Sequence, residues 1–137
     1  MTETMSESQH YLFDTGVLID IYHGRERVKP LFNQLIEPDG GLTAYISPVS
    51  EAELWLGLRA HELERHEALL SFFRPLPLTS EAGRLAGEWV RRFSPKGLGW
   101  MDAMIVSAAA VMGLPVLTRD RRLVETLAGE ADFVLYG

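Results

Sequence analysis

At 137 residues, with 47% hydrophobic and 23% charged side chains, the chain has the size and composition of one globular domain with a buried core, not of a fibrous or disordered protein. Its net charge of −6 argues against a broad basic footprint on nucleic acid, but not against an enzyme that gathers carboxylates around cations. With no cysteine there is no disulfide framework and no thiolate metal site, which fits a cytosolic protein.

The opening "MTETMSESQ" lacks the apolar core of a signal peptide and reads as a loose tail over residues 1–9, with a single domain expected over 10–137. "YLF" (11–13) reads as a short buried strand, and apolar residues at helical spacing follow it as far as Gly24. A second helix is expected over "RERVKPLFNQLI", with Pro30 near its start. "EPDGG" (37–41) is turn chemistry and "LTAYIS" (42–47) a strand. "PVSEAELWLGLRAH" carries Pro48 and Ser50 as helix-start signals, and "ELERHEALLSFF" continues the period after a bend near His61. Two prolines make "RPLPL" extended.

"TSEAGRLAGEWVRRF" predicts a helix capped by Thr79 or Ser80 and ending at Ser94-Pro95. "MDAMIVSAAAVMG" predicts another, stopped by Gly113. This stretch, extended to "PVLT", is the most apolar of the chain, yet it falls short of the roughly 20 residues of a membrane span, so no membrane partner is expected. "PVLT" reads as a buried strand, "RDRRLVETLAG" as a helix and "FVLY" as a last strand. Strands alternating with helices predict a three-layer α/β domain around a mainly parallel sheet. In such folds ligands gather beyond the carboxyl ends of the strands, where Asp14 and Asp120 would both lie.

Four acids stand out: Asp14, Glu53, Asp102 and Asp120. Each alone has a structural explanation. Asp14 can cap the helix after it, and Glu53 stands at capping-box spacing from Ser50. Asp102 suits the first turn of an apolar helix, and Asp120 can start the turn into "RRLVETL". Together they occupy strand-end or first-turn positions that face one edge of the sheet. Carboxylates converging there repel unless they share divalent cations, and oxygen-only ligands favour Mg²⁺ or Mn²⁺ over zinc. Such a cluster equips a site for attack of water on a phosphodiester.

Other features carry less. His61 and His66, five apart on a charge-rich helix, read as solvated surface, and His10 and His23 receive no role. Trp55 and Trp89 read as core or interface. No phosphate-binding glycine loop is present.

Three segments in order, "YLFDTGVLIDIYHG", "ISPVSEAELWLG" and "GWMDAMIVSAAAVMGLPVLTRD", resemble the motif blocks of PIN-domain ribonucleases, with the nearest likeness to VapC-type toxins of bacterial toxin–antitoxin pairs. The resemblance spans residues 11 to about 124. It implies a five-stranded parallel sheet and Mg²⁺- or Mn²⁺-dependent endonuclease activity on RNA. It also implies a homodimer and a cognate antitoxin bound near the site. The family's first acid falls on Asp14, its Glu-Leu-x-x-Gly glutamate on Glu53 (Glu51 ranks second), and its helix-heading and Leu-Thr-Arg-Asp acids on Asp102 and Asp120. Thr118 matches a position that often assists the metal cluster. Where the family commonly has Asn or Ser two residues after the first acid, this chain has Gly16, so Thr15 or a backbone group would substitute.

On this reading all four acids are catalytic and metal-binding. Arg119, Arg121 and Arg122 are candidate RNA phosphate contacts, and Arg91, Arg92 and Lys96 form a second basic patch. An aspartic protease built on "DTG" would be all-β, against the helical pattern. A haloacid-dehalogenase-like phosphatase would carry a second Asp where Gly16 stands. The remaining alternative is a catalytically inert PIN-fold module whose acids only cap helices.

Overall fold

The computed structural model describes residues 9–136, so residues 1–8 of the expected tail lie outside the described residues. Gln9 opens the first strand, β1 (Gln9–Phe13), paired with Leu42 of the next. Then follow α1 (Thr15–Tyr22), a single 3-10 turn, α2 (Lys29–Ile36), β2 (Leu42–Ile46) and α3 (Pro48–Leu56). After a second 3-10 turn come α4 (Leu63–Leu70), β3 (Phe73–Pro75) and α5 (Ser80–Phe93). A third 3-10 turn leads to α6 (Trp100–Val111), β4 (Val116–Thr118), α7 (Arg121–Leu127) and β5 (Phe133–Leu135).

All five strands are parallel, in the order β3-β2-β1-β4-β5. The short apolar runs supply two opposite faces because side chains alternate along a strand. Leu12 and Val116 enter a core with Trp89, Ile105, Val106 and Leu127, under α5, α6 and α7. Their neighbours Phe13 and Leu117 enter a second core with Val17, Leu18, Ile46 and Leu69, under α1 and α4. The expected three-layer α/β architecture is therefore what forms.

The local signals act as their chemistry dictates, with four differences. Pro30 sits in the first turn of α2, where its missing N–H has no helical partner to lose, so a 3-10 turn precedes it instead of a longer helix. The cap of α3 is Ser47, whose Oγ accepts from Val49 N at 3.1 Å, with Pro48 in the first turn. Ser50 therefore lies inside the helix, fully buried, and Ser50–Glu53 is not a capping box. The helix predicted to bend near His61 breaks earlier, at Gly57, and resumes at Leu63. The extended "RPLPL" contributes the edge strand β3, where prolines are tolerated.

His66 corrects the reading of both helical histidines as surface. His61 is exposed, but His66 is 1% exposed, hydrogen-bonded to the Tyr22 hydroxyl and met edge-on by Trp55. Trp89 is core, whereas Trp55 is 59% exposed.

Strand order reverses direction between β1 and β4. The chain adds β2 and β3 on one side of β1, and β4 and β5 on the other. That switch opens a crevice at the carboxyl ends of β1 and β4, the place where open α/β sheets take ligands.

Candidate active site

Asp14 leaves β1 into the crevice and is the N-cap of α1. Its Oδ1 accepts from Thr15 N at 2.9 Å. Its Oδ2 accepts from Thr118 Oγ1 at 2.8 Å, at the end of β4. Thr118 is fully buried, and its Oγ1 also accepts from Asp120 N at 3.1 Å, so one hydroxyl ties both acids to the strand ends. Asp120 caps α7, with Oδ1 taking Leu123 N at 3.0 Å. Thr15 Oγ1 donates to Glu53 Oε1 at 2.7 Å and lies 2.8 Å from Ser50 Oγ, which locks the start of α1 to the middle of α3. Asp102 stands in the first turn of α6.

Asp14, Thr15, Gly16, Glu53, Asp102, Arg119 and Asp120 line one cleft of about 330 Å³. All four sequence-selected acids and Thr15 are thus brought together, from β1, α3, α6 and the β4–α7 junction. Thr118 lies immediately beneath. The capping explanation and the clustering explanation both hold for Asp14 and Asp120, because each acid caps a helix whose first turn faces the cleft.

The electrostatics follow from the crowding. Burial raises the pKa of Asp14. The hydrogen bonds from Thr118 and Thr15 oppose that rise, and the charges of Asp120 and Glu53 add to it. Asp102 is raised to about 6, first by burial and then by Asp14, Asp120 and Glu53. Asp14 and Asp102 are thus disfavoured as anions by burial and by the neighbouring carboxylates, which leaves the cleft short of positive charge.

The donor set fits a hard dication: every ligating atom in the cleft is oxygen, and no histidine lines it. Among the described residues, however, no group of three acidic or imidazole side chains stands close enough together to hold one ion as placed. The reason is visible in the hydrogen bonds. Asp14, Glu53 and Asp120 are each tied back to a hydroxyl or an N–H, so the carboxylates ring the cleft without meeting at a point. Cation uptake would trade those local bonds for metal–oxygen bonds by side-chain rotation.

The candidate phosphate contacts divide. Arg119 lines the cleft, and Arg122 lines an adjoining hollow of about 230 Å³ that shares Asp102 and Asp120 and also holds Lys96. Arg121 is exposed and lines neither. Arg91 pairs with Glu88 at 3.5 Å and Arg92 with Glu130 at 3.3 Å, and neither lines the cleft or the adjoining hollow, whereas Lys96 does line that hollow. Gly16 has its own reason. A Cβ built there would lie 3.2 Å from Arg119 Nε, so glycine makes room for a guanidinium at the cleft wall.

Sequence reasoning missed Asp20, which is 1% exposed and paired with Arg119 Nε at 3.1 Å. Its signal was an acid within an apolar helix with two arginines just beyond, at 25 and 27. A larger apolar groove of about 560 Å³ adjoins the cleft through Thr15 and Glu53 and is walled by Ile19, Tyr22, Leu54, Leu56 and Met101.

Comparison with known proteins bears on the family and the fold. Ribonuclease VapC10 of Mycobacterium tuberculosis is 39% identical over 82 residues, covering 58% of this chain and 60% of the relative's length. A toxin–antitoxin complex from Klebsiella pneumoniae superposes with a TM-score of 0.69 at 26% identity, covering 90% of this chain and 95% of that one. FitAcB from Neisseria gonorrhoeae gives 0.69 at 27% identity, with 90% and 96% covered. VapBC2 from Rickettsia felis, bound to a DNA fragment from its promoter, gives 0.73 at 17% identity, covering 94% of this chain and all of that one, a likeness of fold alone. No helix among the described residues is long and apolar enough to cross a membrane. The PIN domain family model matches residues 11–127, and the chain therefore belongs to the PIN domain family.

Proposed function

We propose that this protein is a divalent-metal-dependent endoribonuclease of the VapC type, the toxin of a type II toxin–antitoxin pair acting on RNA in the cytosol. The observation that carries the reading is the meeting of Asp14, Glu53, Asp102 and Asp120 in one cleft at the strand switch. The 39% identity to a VapC ribonuclease supports the substrate class.

The four carboxylates would hold Mg²⁺ or Mn²⁺, with Asp14 and Asp102 as the principal ligands. A bound dication supplies Lewis acidity toward the phosphate and lowers the pKa of the attacking water. The chain's own residues do the rest. Thr118 fixes the rotamer of Asp14 through Oδ2, leaving Oδ1 to exchange its Thr15 N–H for a ligand. Thr15 holds Glu53 in the same way from the opposite wall. The raised pKa of Asp102 makes it a group that exchanges its proton near neutrality when no cation is present. Arg119 from one side, and Arg122 with Lys96 from the other, would receive phosphate oxygens of the strand.

The partners follow from the apolar surface. The groove walled by Ile19, Tyr22, Leu54, Leu56 and Met101 borders the acids, which suits an antitoxin segment that blocks them. Trp55, Leu56, Trp100 and Met101 are 59%, 89%, 61% and 56% exposed, and this apolar surface, which reaches the rim of that groove, suits a homodimer.

One observation favours a second reading, an inert PIN-fold module: no three acids among the described residues converge as placed. Incubating the protein with total RNA in Mn²⁺, Mg²⁺ or EDTA, and sequencing the new ends, separates the two. The nuclease reading expects discrete new ends with metal and none with EDTA. An absence of new ends in all three conditions, with no Asp102-dependent uptake of Mn²⁺ by calorimetry, supports the inert module.

A further inference from the structure

Asp20 is almost wholly buried, yet three arginines surround it. Its carboxylate lies 3.9 Å from Arg25 Nε, 3.7 Å from Arg27 Nε and 3.1 Å from Arg119 Nε, and it accepts a hydrogen bond from the Tyr136 hydroxyl at 2.5 Å. Burial and this bond raise the Tyr136 pKa far above its ordinary value, so Tyr136 remains a donor at all ordinary pH. A buried carboxylate needs one good cation and its lone pairs filled. Arg119 and Tyr136 already meet that need. The second and third guanidinium groups leave positive charge in excess, and this excess sits beside a cleft lined by four acids.

The arrangement also leaves those cations accessible. The contact to Asp20 runs through Nε in each, and the side chains are 53%, 46% and 41% exposed, which leaves guanidinium surface for an incoming anion. The backbone N–H of Arg25 donates to the Asp20 carbonyl at 3.0 Å, which holds that stretch of main chain against the end of α1. Gly16 leaves the space in which Arg119 reaches from Asp20 to the cleft wall. Arg119 both lines the carboxylate cleft and pairs with Asp20, so it links the acids to the Asp20 cluster.

We propose that Asp20 is a positioning residue that gathers Arg25, Arg27 and Arg119 into a basic rim, and that this rim takes the backbone phosphates of the RNA strand next to the one in the carboxylate cleft. The inference rests on the nuclease reading for the identity of the strand. It accounts for how a chain of net charge −6 presents a local cationic surface to a polyanion.

The test is binding of a fluorescent single-stranded oligoribonucleotide by anisotropy in EDTA, so that no cleavage intervenes, over a range of salt concentrations. The variants are R25Q, R27Q, their double, and D20N. For each phosphate that an arginine no longer neutralises, the slope of log affinity against log salt should become less negative by about 0.7, with a weakening of about five-fold at 0.1 M salt. The double variant should show about twice that change in slope while keeping a wild-type circular dichroism spectrum. D20N, if folded, should weaken binding by releasing all three side chains. If D20N does not fold, the single arginine variants decide, because each leaves two guanidinium groups on Asp20. Unchanged slope and affinity in folded R25Q/R27Q, or no RNA binding by the wild type, overturns the proposal. So does weakened binding of polyglutamate with RNA binding intact, which would assign the rim to an acidic protein partner. RNA binding that depends on the rim, from a protein that never cleaves RNA with Mn²⁺, would keep the rim and remove the nuclease reading.

Discussion

Thr118 Oγ1 donates to Asp14 Oδ2 at 2.8 Å, joining side chains 104 residues apart in sequence at the ends of two adjacent strands. Because Thr118 Oγ1 also accepts from Asp120 N, replacing it with the isosteric valine strands both a buried carboxylate oxygen and an N–H. Thr118→Val should therefore destabilise the protein by about 1–3 kcal/mol. Urea denaturation at pH 7 checks this, read as a lowered midpoint at unchanged slope.

Crowding of the carboxylates predicts an unusual pH dependence in EDTA. The pKa of Asp102 rises from 3.8 to about 6 on folding, so the folded state holds its proton more tightly than the unfolded state does. The penalty is absent below pH 3.8, grows as pH rises through 3.8 to about 6, and is complete above. Asp14 is shifted in the same direction and adds to it. The full shift corresponds to roughly 3 kcal/mol, reduced by solvent screening at a partly exposed group to about 1–2 kcal/mol. Asp102→Asn should accordingly be more stable than the wild type at pH 7 by about 1–2 kcal/mol, with the advantage gone at about pH 4. Paired urea titrations at the two pH values measure it.

Divalent cations should reverse that order. Ions bound only by the folded state stabilise it by about 2.7 kcal/mol at a hundred times the Kd. Mn²⁺ should raise the thermal midpoint of the wild type and leave Asp102→Asn nearly unmoved. Equal shifts in both proteins would mean that the cation binds elsewhere.

The exposed apolar end of α3 predicts association. Leu56→Asp places a charge on a side chain that is 89% exposed and supports no core packing, so the monomer's stability should change by less than about 0.5 kcal/mol. Sedimentation velocity should show the wild type as a dimer and the variant shifted toward monomer. A monomeric wild type at micromolar concentration would reassign that surface.

How far the sequence carried this account depends on the residue. Asp14, Asp102 and Asp120 were legible because strands and helices alternate, and a residue just after a strand or in the first turn of the next helix can face the strand-end edge. Glu53, by contrast, stands in the middle of α3 and was legible through the resemblance to a Glu-Leu-x-x-Gly segment. Ser47 was passed over as the cap of α3 because Ser50 offers an equally good signal three residues on. The Ser47 Oγ bond to Val49 N and the burial of Ser50 against Thr15 distinguish them. β3 is three residues with a terminal proline, long enough to pair with β2 but too short to show a period. Asp20 and His66 escaped because a polar residue in an amphipathic helix looks solvated until its partners are known. Those partners, Arg119 and Tyr136 for one and Tyr22 and Trp55 for the other, come from other elements of the chain.

If the proposed function holds, the four carboxylates act together, through bound cations, on an RNA phosphodiester. Single-turnover cleavage of RNA in Mn²⁺ by the wild type and by folded Asp102→Asn tests it most directly, since that substitution removes a charge without disturbing a cap. The account predicts cleavage by the wild type that EDTA abolishes, and a rate in the variant lower by at least about a hundredfold, or roughly 2.7 kcal/mol of transition-state stabilisation. Equal rates in the two proteins, or cleavage by the wild type that persists in EDTA, would contradict it.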